Sequence, residues 1–214
     1  MAKTVTSVNK GPLLLTIVNE AYLPLTFNWL CHTAKLPGVH EKLIFLVQGK
    51  ETEVRLNQRW PNIKTHTVNQ TQNELSGPLK FGTVGYIRMM VRRTELLNAL
   101  VQANISFLLF ETDFIWFENP VPDFIKLGQE ENLDLANNTG ARYGVVDYEI
   151  VVDGKWYKMK AAQRKQFKPK AIHNNFLHNA VEKLHRFRRF GHWVLDSNLR
   201  CNTTTVDRLL RRRK

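Results

Sequence analysis

The chain has only two cysteines, Cys31 and Cys201, and they stand far apart. That spacing fits neither a zinc site nor a redox motif, and one disulfide is open to it without being implied. No apolar run approaches the ~20 residues of a membrane span; Leu13–Val18 is far too short. The first residues lack the pattern of a signal peptide, so neither signal nor anchor is expected in this chain. Internal repeats are absent, and Arg211-Arg212-Arg213-Lys214 is the one low-complexity stretch.

What is present suits one domain, or one domain with a tail: 214 residues, 43% hydrophobic and 23% charged, enough for a sizeable core without staples. The net charge of +12 is unevenly spread. Residues 1–107 carry +6, residues 108–153 carry −8 and residues 154–214 carry +14. An acidic middle beside a basic last third can bring a metal and a polyanion together, or can be a solvated surface with a basic tail. A third reading is a basic nucleic-acid-binding module, but the basic third has no RNA or DNA motif, so nucleic acid is not the expected partner. Four glycosylation sequons, at Asn69, Asn104, Asn137 and Asn202, suit a secretory lumen or arise by chance. Val206 to Lys214, with five basic residues, is expected to pack weakly.

Strands and helices alternate along the chain. Leu13–Val18 reads as a buried strand, 23–35 as a helix stopped by Pro37-Gly38, and 42–47 as a second buried strand. A helix over 51–60, a strand over 63–68, a helix over 86–103 and a strand over 105–110 follow. This order predicts an α/β fold, an open, mostly parallel sheet with helices on both faces. Ligands of such sheets sit beyond the carboxyl ends of the strands, here Val18-Asn19, Val47-Gln48-Gly49 and Glu111-Thr112-Asp113. If the last of these is extended, Glu111 and Asp113 point to one side and can share a hard divalent cation. Read alone, such a pair is more often two surface acids at a strand end than a metal site.

The stretch Leu108-Leu109-Phe110-Glu111-Thr112-Asp113-Phe114-Ile115-Trp116-Phe117-Glu118-Asn119-Pro120 resembles the aspartate-containing segment of the nucleotide-diphospho-sugar transferase family. Val18-Asn19-Glu20-Ala21-Tyr22 and Asn28-Trp29-Leu30 are similar to its first strand and helix. Ile172-His173-Asn174-Asn175-Phe176, Lys183 and Gly191-His192-Trp193 are similar to its closing segment. The resemblance implies a GT-A-like fold over residues 1–200, followed by a basic tail at 201–214. It implies metal-dependent transfer of a sugar from a nucleotide-diphosphate donor, a UDP-sugar first, to a hydroxyl of a glycan or glycoprotein in the Golgi or secretory lumen. Glu111, Asp113 and His173 would hold Mn²⁺ or Mg²⁺. Val18, Asn19, Arg93, Glu111, Asp113 and Lys183 would bind the nucleotide. No general base can be named.

Two departures stand out. Glu111 replaces the more usual aspartate, and Asn138-Thr139-Gly140, within 129–147, matches the family's acceptor-facing segment poorly. A shortened member, or a catalytically inactive nucleotide-binding relative, is the alternative. The glycine usual between the late histidine and lysine is also missing, with His178 the bulkier residue in its place.

On a helical wheel of 86–103, Arg93 falls inside the apolar arc, between Leu100 and Leu97. It either snorkels outward or reaches an acid or phosphate. A helix over 180–190 would set Lys183 and Arg186 opposite a buried stripe of Ala180, Leu184 and Phe187. Trp156, Tyr157 and Trp193 are candidates to wall a sugar pocket, or are core. Replacing either acid of the loop by its amide is expected to change stability little.

Overall fold

The apolar run after Pro12 becomes β1 (Leu13–Val18), an inner strand of a parallel sheet. The structure, a computed structural model, describes residues 11–68, 82–129, 134–135 and 142–211. After β1 come α1 (Leu23–Thr33), β2 (Leu43–Gln48), α2 (Lys50–Arg59), β3 (Lys64–Val68), α3 (Val84–Gln102) and β4 (Phe107–Leu109). The four strands stand in the order β3-β2-β1-β4, every pairing parallel. Parallel neighbours need crossovers, and the intervening helices supply them. This is the α/β sheet expected, with boundaries displaced by no more than two residues.

The unbroken apolar runs are explained by burial on both faces. Leu14, Val18, Phe45 and Val47 join the main core with α1, whereas Leu13, Leu15 and Ile44 pack with Leu97 and Leu100 of α3. α3 is otherwise lightly covered. Ile87, Val91 and Val101, apolar residues of this helix, are more than half exposed.

A second layer explains why α1 is buried almost all round. It begins with β5 (Phe114–Trp116), α4 (Val121–Gly128), β6 (Asp134–Leu135), β7 (Arg142–Tyr143) and β8 (Val151–Val152). It ends with α5 (Ala161–Gln166), β9 (Ala171–His173), α6 (Ala180–Phe190) and α7 (Thr203–Arg211). β9 lies between β5, antiparallel, and β8, parallel.

The polar groups of α1 are satisfied from this layer. Asn28 donates to the His192 carbonyl at 3.1 Å and accepts from the Val194 amide at 2.8 Å. His32 donates from Nδ1 to the Asn28 carbonyl and accepts at Nε2 from the Trp116 amide. Burial drives the His32 pKa down to about 4, the Asn28 carbonyl opposing it. The unfolded imidazole binds its proton near 6.5. Between these values the unfolded state carries the extra proton, so stability present above pH 6.5 is lost as pH falls towards 4. The loss is about 3 kcal/mol. Guanidinium unfolding at pH 7 and 4.5 checks this, and His32→Gln should flatten that part of the acid limb.

The last segment corrects the expectation of weak packing. Cys201 is disulfide-bonded to Cys31 of α1, with Cα atoms 5.6 Å apart. α7 buries Val206 and Leu209, each 1% exposed, and Asp207 pairs with Lys35. Arg208 and Arg211, two of the basic residues that suggested a free tail, are exposed on the outer face of this amphipathic helix, and residues 212–214 lie outside the described residues.

Candidate functional site

Strand register assembles the site. β4 ends beside β1, and the chain then turns through Glu111-Thr112-Asp113 into β5. Phe114 pairs in register with His173, their rings stacked 4.2 Å apart. The Asn174 amide donates to the Asp113 carbonyl at 3.0 Å. His173 is thereby set beside the acidic turn. The two acids do not converge as neighbours on one side of a strand; a turn brings them together, with Glu111 exposed and Asp113 fully buried.

His173 Nε2 lies 2.9 Å from Glu111 Oε2 and 3.5 Å from Asp113 Oδ1. Lys183 Nζ lies 2.7 Å from Asp113 Oδ2 and donates to the Tyr22 hydroxyl at 3.2 Å. Burial opposes charge on His173, but Asp113 and Glu111 outweigh it and raise its pKa to about 9. Burial also opposes charge on Asp113, yet His173 and Lys183 hold its carboxyl below the ordinary value. The same balance raises Lys183, desolvation being outweighed chiefly by Asp113.

The ligating atoms of Glu111, Asp113 and His173 all lie within 4.8 Å of one another. Both Asp113 oxygens are buried; they have cations at ion-pair distance but accept no hydrogen bond of good geometry. Two carboxylates and an imidazole are a donor set for a divalent cation of the Mn²⁺ or Mg²⁺ kind, so the residues fit the expected group.

Above this cluster opens a cavity of about 950 Å³. Asn19, Arg93, Glu111, His173 and Lys183 line it, five of the seven residues read from the sequence. Asp113 lies beneath its floor, and the Val18 side chain belongs to the core beside it. Arg93 points inward. It is half-buried, and its Nε has no hydrogen-bond partner among the described residues.

Several expectations are corrected here. Lys183 does not oppose the buried stripe of α6; it is 7% exposed and shares the inner face with Phe187 one turn on. Arg186 holds the chain before α6, donating to Asn174 Oδ1 and the Asn175 carbonyl. Trp156, Tyr157 and Trp193 are not among the cavity's lining residues. Tyr157 is buried against His192, with its hydroxyl 2.9 Å from Nδ1, and Trp156 packs on the same imidazole. The backbone suited to glycine falls at Phe176, φ 59°, and not at His178. Asn138-Thr139-Gly140 lies outside the described residues.

Sequence reasoning missed Tyr22 as the hydroxyl partner of Lys183. It also missed the apolar wall formed by Tyr86, Met89, Met90 and Phe124. Met89 and Met90 were legible only as members of a helix face.

An open parallel sheet with a charged cluster and a cavity at the carboxyl end of its strands is the arrangement at which α/β proteins of this kind take up ligands. Residues 38–142 match the nucleotide-diphospho-sugar transferase family. This match, over about half of the chain, and the parallel sheet flanked by helices support a nucleotide-diphospho-sugar transferase domain with a GT-A-like fold. The matched stretch includes Arg93, Glu111 and Asp113, whereas Asn19, His173 and Lys183 lie outside it and join them through the fold. No curated protein and no solved structure matches the chain.

Proposed function

We propose that the chain is a metal-dependent glycosyltransferase that takes a UDP-sugar and passes its sugar to a hydroxyl of a glycan or glycoprotein. The convergence of Glu111, Asp113 and His173 on one point beneath a cavity faced by Arg93 and Lys183 carries this reading. Two cations near one wall suit a diphosphate. Asn19, at the end of β1, offers polar groups to the nucleoside. Glu111, Asp113 and His173 would hold Mn²⁺ or Mg²⁺, which when bound offsets the charge of the departing diphosphate as a Lewis acid. Arg93 and Lys183 neutralise the same oxygens, while the apolar wall from α3 and α4 limits water. The Cys31–Cys201 disulfide and the exposed sequons at Asn104 and Asn202 support work in the secretory lumen.

Calorimetric titration of the whole chain with UDP, with and without Mn²⁺, tests the proposal. Binding that appears only with the ion, together with hydrolysis of a UDP-sugar, is expected. UDP binding indifferent to the ion overturns the metal-dependent reading. Binding with neither hydrolysis nor transfer across several donors leaves an inactive relative.

Arg93→Leu is expected to keep the melting temperature, since its neighbours on α3 are apolar, and to weaken UDP binding about tenfold or more. Arg88→Leu, on the exposed side of the helix, is the control. A variant that fails to fold would show that Arg93 serves the structure.

A further inference from the structure

Phe176 is not one of the residues of the metal cluster, nor one of the two cations assigned to the diphosphate above, yet it is costly twice over. Its backbone is left-handed, φ 59°, where a Cβ is unfavourable and glycine is the ordinary occupant. Its ring is 55% exposed, so it contributes little to any core. It also lines the same cavity as Glu111, His173 and Lys183. A strained backbone carrying an exposed aromatic ring into a cavity points to a ligand rather than to packing.

The loop that bears it is pinned on both sides. Asn175 accepts from the Gly154 amide at 2.6 Å through its side chain, and from Arg186 at 2.8 Å through its carbonyl. A Cβ on Gly154 would meet the Asn175 carbonyl at 2.4 Å, so glycine is what allows this approach. Asn174 is fully buried and donates to the Lys183 carbonyl. On the other side, the His178 amide donates to Glu182, and Asn179 caps α6. Lys155 Nζ lies 5.7 Å from the centroid of the Phe176 ring. The ring is thus presented on a rigid support, which spares a ligand the cost of ordering it.

We propose that Phe176 is the platform on which a sugar ring stacks, either the donor's or the acceptor's, an inference that rests on the nucleotide-sugar reading above. The C–H face of a pyranose carries slight positive charge and is apolar, whereas its hydroxyls project from the rim. Such a face packs on the negative face of an aromatic ring and leaves the hydroxyls free for the polar groups of the cavity.

The test compares wild type with Phe176→Ala, Phe176→Gly and Phe176→Tyr, with Mn²⁺ present throughout. Affinities are measured for UDP, for UDP-glucose and UDP-galactose, and for a panel of methyl glycosides in the presence of UDP. UDP should bind all four proteins alike. If the donor sugar stacks, the Ala and Gly variants lose about threefold to tenfold in UDP-sugar affinity relative to UDP, and Tyr restores it. If the acceptor sugar stacks, the UDP-sugars are unmoved and the same loss appears with the methyl glycoside. Phe176→Gly relaxes the backbone and should melt no lower than wild type, which keeps the test open if Phe176→Ala folds poorly. Equal loss for UDP and UDP-sugar would place the nucleotide on the ring and overturn the proposal, as would no loss for any sugar. A wild-type chain that binds no UDP at all overturns the underlying nucleotide reading; a chain that binds UDP but ignores Phe176 overturns this inference alone.

Discussion

Asp113→Asn should lower folding stability by about 3–5 kcal/mol, even with no metal or nucleotide in solution. Asp113 is fully buried, and Lys183 lies 2.7 Å from one of its oxygens. The amide removes the charge facing a lysine that is itself buried, and the stranded ammonium has no inexpensive way back to water. Glu111→Gln, at a side chain 57% exposed, should cost no more than about 0.5 kcal/mol. This reverses the expectation from sequence that either acid could be neutralised without affecting the fold. Thermal melts of the metal-free variants separate the two, and calorimetry with UDP and Mn²⁺ should find metal-linked binding more fully lost in Asp113→Asn. Adding Lys183→Met to Asp113→Asn should recover much of the stability, because it removes the orphaned charge, but none of the binding. An Asp113→Asn protein as stable as wild type would mean that the buried pair contributes nothing to the fold.

The second large effect is expected at the other end of the chain. Cys201→Ser opens a link spanning 170 residues and should cost about 3–5 kcal/mol. Leu209→Ala, at a side chain 1% exposed, should cost about 2–5 kcal/mol by leaving a cavity against the core. Melting with and without dithiothreitol checks the first: wild type should fall to the Cys201→Ser value under reduction, and the variant should not respond. A wild type indifferent to reductant would show that the two thiols are not joined.

The parallel sheet was legible because its strands, buried on both faces, are written as unbroken apolar runs such as Leu13–Val18 and Leu43–Val47. The acid turn was legible because it follows such a run. His173 and Lys183 were legible through order along the chain and resemblance, not through pattern; a lone histidine and a lone lysine carry no periodicity. The position of Asp113 beneath the cavity was not legible, since burial of a carboxylate depends on what packs over it, here β9 and α6 from some 60 residues later. The same holds for α7. Its charge suggested solvent, and Val206 and Leu209 are buried by joining a core built largely from distant parts of the chain, α1 among them. Phe176 left no sequence signal of a left-handed backbone, because that conformation is normally read from glycine.

The way α1 is completed has a consequence for how the chain is made. Asn28 leaves the ribosome 164 residues before His192, one of the two residues whose backbones satisfy it. At roughly 5–20 residues per second that is an interval of roughly 10–30 s. Through it, α1 stands against a half-built sheet with its outer face uncovered, a surface suited to a holding chaperone. Cys31 has no thiol of its own chain to meet until Cys201 emerges. Until then it is open to mixed disulfides with other molecules, and its oxidation within the chain follows the synthesis of Cys201 rather than guiding the first collapse of the sheet.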